Sequence, residues 1–136
     1  DRFPWYFNDK VVDGNDGFYQ FTFAFILDDQ KNCDSAAMNI LKPILDKIKY
    51  KKMRRIKANL LTKTEKIIEH GFHTDYSNVT TGIFYLNTCD GYTKFKDGKK
   101  IKSEKNKYIE FNSNLSHTGS TCTDKKRRVV INFNYV

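Results

Sequence analysis

Cysteine is scarce in this 136-residue chain, and the three present, Cys33, Cys89 and Cys122, are odd in number, far apart and without paired spacing. That argues against a disulfide framework and against zinc-finger ligation, and for a reducing compartment, hence the cytoplasm. Each thiol is expected to be a small, semi-buried residue. No apolar run is long enough to span a bilayer. The start, Asp1-Arg2-Phe3-Pro4-Trp5-Tyr6, has no Met and does not look like a signal peptide, so a truncated N-terminus is expected. Internal repeats, low-complexity tracts and linkers are missing too, and at this length one domain over 1–136 is expected.

What is present is apolar and basic. Apolar residues make up 39% and aromatics 15%, enough for a real core, and the formal net charge is +8. The positive charge concentrates in Lys47–Arg55, Lys94–Lys107 and Lys125–Arg128. Such a balance suits acidic partners or nucleic acid, or a solvated surface. No recognition-helix pattern, aromatic RNA-binding signature or Cys/His finger accompanies it.

The chain then reads mostly as strands. Asp13-Gly14-Asn15-Asp16-Gly17 is a turn by composition. Phe18–Leu27 follows as a strand, with Phe21, Phe23, Phe25 and Leu27 on one parity, and it is expected to be central. Ala37, Ile40, Leu41, Ile44, Leu45 and Ile48 recur at helical spacing, with Ser35 as N-cap and Pro43 expected to kink the helix or start a second one. Strands are expected at Arg54–Leu61, Thr80–Asn87, Tyr92–Phe95, Tyr108–Phe111 and Arg128–Tyr135, with Asp97-Gly98 as a hairpin turn. One helical region followed by closely spaced strands predicts a mainly β fold: a double-stranded β-helix, or jelly roll, with one or two supporting N-terminal helices.

Only three histidines exist, His70, His73 and His117. His70 is expected to be an ordinary hydrogen-bonded histidine, since it lacks a carboxylate at spacing two. His73 and Asp75 stand two positions apart and point the same way if the backbone is extended. His117, roughly forty residues on, can close the set from a neighbouring strand. Two imidazoles and one carboxylate on one face of a metal leave three positions open, the arrangement of non-haem ferrous oxygenases. His73, Asp75 and His117 are therefore the predicted metal and catalytic residues.

His73-Thr74-Asp75, then His117, then Arg127-Arg128-Val129-Val130-Ile131-Asn132-Phe133-Asn134-Tyr135 resembles the iron(II)- and 2-oxoglutarate-dependent dioxygenases. The likeness is to the small prolyl-hydroxylase-like branch, including bacterial and bacteriophage members, which would put a phage-encoded version in the host cytoplasm. Ile83-Phe84-Tyr85-Leu86-Asn87 is similar to the family's aromatic strand after the Asp, and Tyr108-Ile109-Glu110-Phe111 to the strand before the distal His. The likeness spans about Arg54 to Val136.

The resemblance implies ferrous iron, 2-oxoglutarate and dioxygen, with ascorbate in a supporting role, and release of succinate and carbon dioxide as a peptide or protein side chain, prolyl among them, is hydroxylated. A planar guanidinium suits the co-substrate's distal carboxylate. If Ile131, Phe133 and Tyr135 face the core, then Arg128, Val130, Asn132 and Asn134 line the cavity, which favours Arg128, with Arg127 as the alternative. The resemblance makes Tyr85 a hydroxyl donor to the same carboxylate. Asn59 alternates with the apolar face of its strand and can reach the co-substrate. Thr118–Asp124 is longer than the matching stretch in prolyl hydroxylases. Lids are implied in early loops, with Tyr76-Ser77-Asn78 and Asp28–Cys33 as candidates. The competing readings are an oxygenase acting on nucleic acid, admitted by the charge, and a jelly-roll metal-binding module without turnover.

Overall fold

The structure, a computed structural model, describes residues 3–12 and 17–136. The turn expected at Asp13–Asp16 lies outside the described residues; Gly17, its last position, has φ 70°.

Ten strands and one helix follow in the order β1 (Tyr6–Asn8), β2 (Gln20–Leu27), β3 (Gln30–Lys31), α1 (Ser35–Leu45), β4 (Met53–Thr62), β5 (Thr80–Tyr85), β6 (Tyr92–Phe95), β7 (Lys100–Lys102), β8 (Tyr108–Asn112), β9 (His117–Gly119) and β10 (Arg127–Tyr135). A large antiparallel sheet runs β1-β2-β4-β10-β5-β8, with β3 added to β2, and a small sheet runs β7-β6-β9. This is the expected mainly β jelly roll with one supporting helix. Chain-distant strands are paired at its centre, β4 against β10, which brings the middle of the sequence against its end.

Alternation along β4 and β10 separates two faces. Ile56, Ala58, Ile131, Phe133 and Tyr135 turn outward into a core shared with Phe23 and Phe25. The helix covers that core with Leu41, fully buried, and with Ala37, Met38, Ile44 and Leu45 around it. This apolar stripe on a short helix is its main source of stability. The opposite face carries Arg55, Lys57, Asn59, Arg128, Val130 and Asn132 and lines a cavity.

Three local expectations need correction. Asp34, not Ser35, caps the helix: its Oδ1 accepts from Ala37 N at 2.8 Å, and a carboxylate at this end also meets the helix dipole. Pro43 neither kinks the helix nor starts another; it sits in the last turn, and the helix closes two residues later with Asp46 N donating to Lys42 O. In β2 a bulge between Ala24 and Ile26 shifts the parity, so Phe25 and Ile26 are both buried and Leu27 is exposed. The Asp97-Gly98 hairpin forms as expected, with Gly98 at φ 93° and Phe95 paired to Lys99.

Candidate metal centre and its cavity

His73 and His117 come together through their backbones. They form an isolated antiparallel bridge in which His73 N donates to His117 O at 3.0 Å and His117 N to His73 O at 2.9 Å. Residues opposite one another in such a pair share a face, and the two rings lie 4.8 Å apart between centroids. Asp75, two positions beyond His73, returns to that face. The ligand atoms of His73, Asp75 and His117 all lie within 4.8 Å of one another.

The rings are also oriented. His73 Nδ1 faces Gly71 O at 3.2 Å and His117 Nδ1 faces Leu115 O at 3.0 Å. A carbonyl can only accept, so these contacts assign the proton to Nδ1 and leave each Nε2 lone pair for a metal.

The carboxylate of Asp75 is clamped on both oxygens. Arg55 Nη2 donates to Oδ1 at 2.9 Å, and Thr81 Oγ1 and Asn134 Nδ2 donate to Oδ2 at 3.1 Å each. Arg55 Nε also donates to Asn134 Oδ1 at 2.8 Å, tying the clamp to itself. Burial pushes the Asp75 carboxyl up, but Arg55, the Asn134 amide and the two imidazoles together hold it below the usual carboxylate range. Burial of His117 lowers its pKa, favouring the neutral imidazole that ligation needs. The sequence reading assigned no metal-holding role to Arg55, Asn134 and Thr81. Inward-facing polar residues on β4 and β10 were the available signal.

Arg128 lines the same cavity, of about 700 Å³. It is 3% exposed, and its donors meet only neutral oxygens: Nε to Ser103 Oγ at 2.7 Å, Nη2 to Thr93 Oγ1 at 3.2 Å and Nη1 to Ser120 O at 3.4 Å. No carboxylate pairs with it among the described residues. Burial pushes its pKa down. Two glycines make room for it. A Cβ at Gly91 would lie 2.7 Å from Arg128 Cδ and 2.6 Å from Thr121 O, and one at Gly119 3.3 Å from Nη1.

Arg127 is exposed on the opposite face, so of the two arginines the structure turns Arg128 inward. Asn59 and Asn132 both line the cavity, and Asn132 Oδ1 is buried without a hydrogen-bond partner. Tyr85 is fully buried in a small core with Ile83 and Val130, and its ring lies 5.7 Å from the Arg128 guanidinium. Its hydroxyl donates to Thr93 Oγ1 at 2.9 Å, so Thr93 joins Tyr85 to Arg128. The long Thr118–Asp124 stretch packs along 64–70, with His70 N donating to Gly119 O and Thr121 N to Ile68 O. His70 lines the cavity against the Phe18 ring and stands apart from the metal cluster. The two lid candidates meet: Tyr76 Oη donates to Asp28 Oδ1 at 2.6 Å, and its ring covers Arg55 at 5.3 Å.

No family model matches the sequence, and no curated protein matches it. Among solved structures, a 2OG-Fe(II) oxygenase-family oxidoreductase from Burkholderia pseudomallei aligns with a TM-score of 0.73 at 16% identity, over 98% of this chain and 73% of its own. A cupin-like protein from Thermotoga maritima gives 0.53 at 7% identity, over 86% and 68%. A cupin protein from Bacteroides fragilis gives 0.48 at 12% identity, over 60% of this chain and 64% of its own. At such identities the first two likenesses are ones of fold.

Proposed function

We propose that this protein is a ferrous-iron- and 2-oxoglutarate-dependent oxygenase that hydroxylates a peptide or protein side chain, prolyl among them. One observation carries the reading: a buried guanidinium without an anionic partner among the described residues shares a cavity with a two-histidine, one-carboxylate cluster. An isolated buried charge costs several kcal/mol, and a carboxylate brought by a ligand offsets that cost. A metal-binding module without turnover has no use for such an anion-seeking pole. The oxygenase-family neighbour supports the same reading through its fold.

The donor set fits ferrous iron. His73 Nε2, His117 Nε2 and one Asp75 oxygen would hold it, leaving positions open for small ligands. Iron and 2-oxoglutarate supply the oxidising chemistry when bound, with dioxygen consumed and succinate and carbon dioxide released. The chain's own groups orient and shield. Arg55, Asn134 and Thr81 keep Asp75 ionised and fixed. Arg128 takes the distal carboxylate of the co-substrate, with Ser103 and Thr93 fixing the plane of the guanidinium. Asn59 and Asn132, on neighbouring strands between Asp75's clamp and Arg128, flank the co-substrate's middle. Tyr85 reaches the carboxylate through Thr93 rather than directly. At the mouth, exposed Phe72 and the Tyr76 ring offer apolar surface for a peptide.

The test is succinate release from 2-oxoglutarate with added ferrous iron, and its stimulation by proline-rich peptides against methylated oligonucleotides. Iron-dependent turnover stimulated by peptide is expected. Absence of both turnover and 2-oxoglutarate binding would overturn the enzyme reading, and stimulation by oligonucleotides alone would move the substrate to nucleic acid.

A further inference from the structure

The helix covers only part of the outer face of the large sheet. Its core ends at Phe23 and Ala58, and the next row lies beyond it. That row crosses the sheet in register, Phe7 opposite Phe21, Phe21 opposite Leu60 and Leu60 opposite Val129. Phe7 is 64% exposed and Tyr19 is 49% exposed. Their rings stack at 5.8 Å with 30° between planes, and both meet Phe21 edge-on.

Unpaired cations border these rings. Tyr19 Oη lies 3.2 Å from Thr62 Oγ1, and Thr62 stands opposite Arg127 in the β4–β10 register. Lys63 N donates to Lys126 O at 3.0 Å, which keeps those two neighbours on adjacent segments. Lys63, Lys125, Lys126 and Arg127 are all exposed, and none has an ion-pair partner among the described residues. On the other lysine-rich surface, the β6–β7 hairpin, Lys94 and Lys100 pair with Glu69 and Lys107 beyond it with Glu104, while Lys96, Lys99 and Lys102 are exposed without an ion pair among the described residues; it differs in presenting no exposed aromatic ring beside its cations.

We propose that this uncovered end of the sheet binds a single-stranded nucleic acid, with bases stacking on Phe7 and Tyr19 and phosphates on Arg127, Lys126 and Lys63. Exposed π faces beside cations on one face of a sheet are what an unpaired polynucleotide requires. An apolar protein partner or a second copy of this chain would leave those cations desolvated without counter-charge. Strand parity sets Arg127 and Val129 on the opposite face from Arg128 and Val130, so the surface and the metal cavity are separate and the proposal stands without the oxygenase reading.

Fluorescence anisotropy of the intact chain with a labelled oligothymidylate roughly 20 nucleotides long tests this. Binding is expected to weaken steeply with salt. Phe7→Ala and Tyr19→Ala should each weaken it about tenfold at fixed salt, while Tyr19→Phe retains it. The triple change Lys63→Gln, Lys126→Gln, Arg127→Gln should flatten the salt dependence. The same charge removal on the hairpin, Lys96→Gln, Lys99→Gln, Lys102→Gln, should leave it nearly as it was. Thermal melts that match the parent show each variant is folded. Several results would overturn the proposal: no binding at low salt, aromatic variants that bind like the parent, or a hairpin triple that loses as much. So would vesicles of phosphatidylserine, or self-association in sedimentation, showing the variant sensitivity that the oligonucleotide lacks.

Discussion

Two arginines line the cavity, and the fold treats them in opposite ways. Arg55 sits at the metal end, 2.9 Å from Asp75, with its Nε tied to Asn134 and its face under Tyr76. Arg128 sits six residues along β10 from Asn134 on the same face, buried and ringed by hydroxyls and a carbonyl. One guanidinium is ion-paired within the chain, and the other meets no carboxylate among the described residues. On the proposed function, the first shapes a metal ligand and the second receives the co-substrate.

The largest effect expected is at the cluster itself. Asp75→Ala or His117→Ala should abolish iron binding, measured by metal retention after desalting, and with it succinate release. Retained iron in either variant breaks the assignment.

The paired arginines give a sharper test because their stability effects should differ in sign. Arg55→Met leaves the Asp75 carboxylate, 4% exposed, without its cation, which should cost about 3 kcal/mol in denaturant unfolding; Arg55's partial exposure keeps this at the low end. Iron affinity should fall about 10–100-fold. Arg128→Met removes a buried unpaired charge, so the ligand-free protein should gain about 1–2 kcal/mol while losing affinity for 2-oxoglutarate. Arg127→Met should do neither. Equal stability losses at Arg55 and Arg128 would erase the contrast.

Much of this contrast was legible in the sequence, and part was not. His-x-Asp with a distant histidine is a local spacing plus strand alternation, and both survive folding. Alternation along β10 separated Arg128 from Arg127 correctly because that strand has no bulge until Asn134. The Asp75 clamp was hidden because Arg55, Thr81 and Asn134 sit on three strands that are distant in sequence, and nothing local announces that β10 lies between β4 and β5. The bulge in β2 was invisible for the same reason: it answers to the partner strand. The Asp34 cap was open to local reading, since Asp and Ser cap about equally well and stand side by side.

A smaller effect is expected at Gly91. Gly91→Ala drives a methyl against Thr121 O, which is backbone and cannot yield, and against Arg128 Cδ. A loss of about 1–3 kcal/mol is expected, with a raised 2-oxoglutarate requirement and unchanged iron retention. Unchanged co-substrate affinity would show that Arg128 does not depend on that space.

The smallest effect is in pH. Both Asp75 and His117 have depressed pKa values in the folded state, so the unfolded chain binds more protons as pH falls. Their contribution to the metal-free protein is full above about pH 6.5. It declines below that as unfolded histidine protonates, and again below about pH 4 through Asp75. Denaturation midpoints at a series of pH values should fall on acidification; a midpoint that rises between pH 7 and 5.5 contradicts the burial of a neutral His117.

The most direct measurement is a calorimetric titration of 2-oxoglutarate into the protein with and without manganese as a redox-inert stand-in for ferrous iron. One-to-one binding that requires both the metal and Arg128 is the predicted result. Binding indifferent to the metal or surviving in Arg128→Met, or no binding at all, would contradict it.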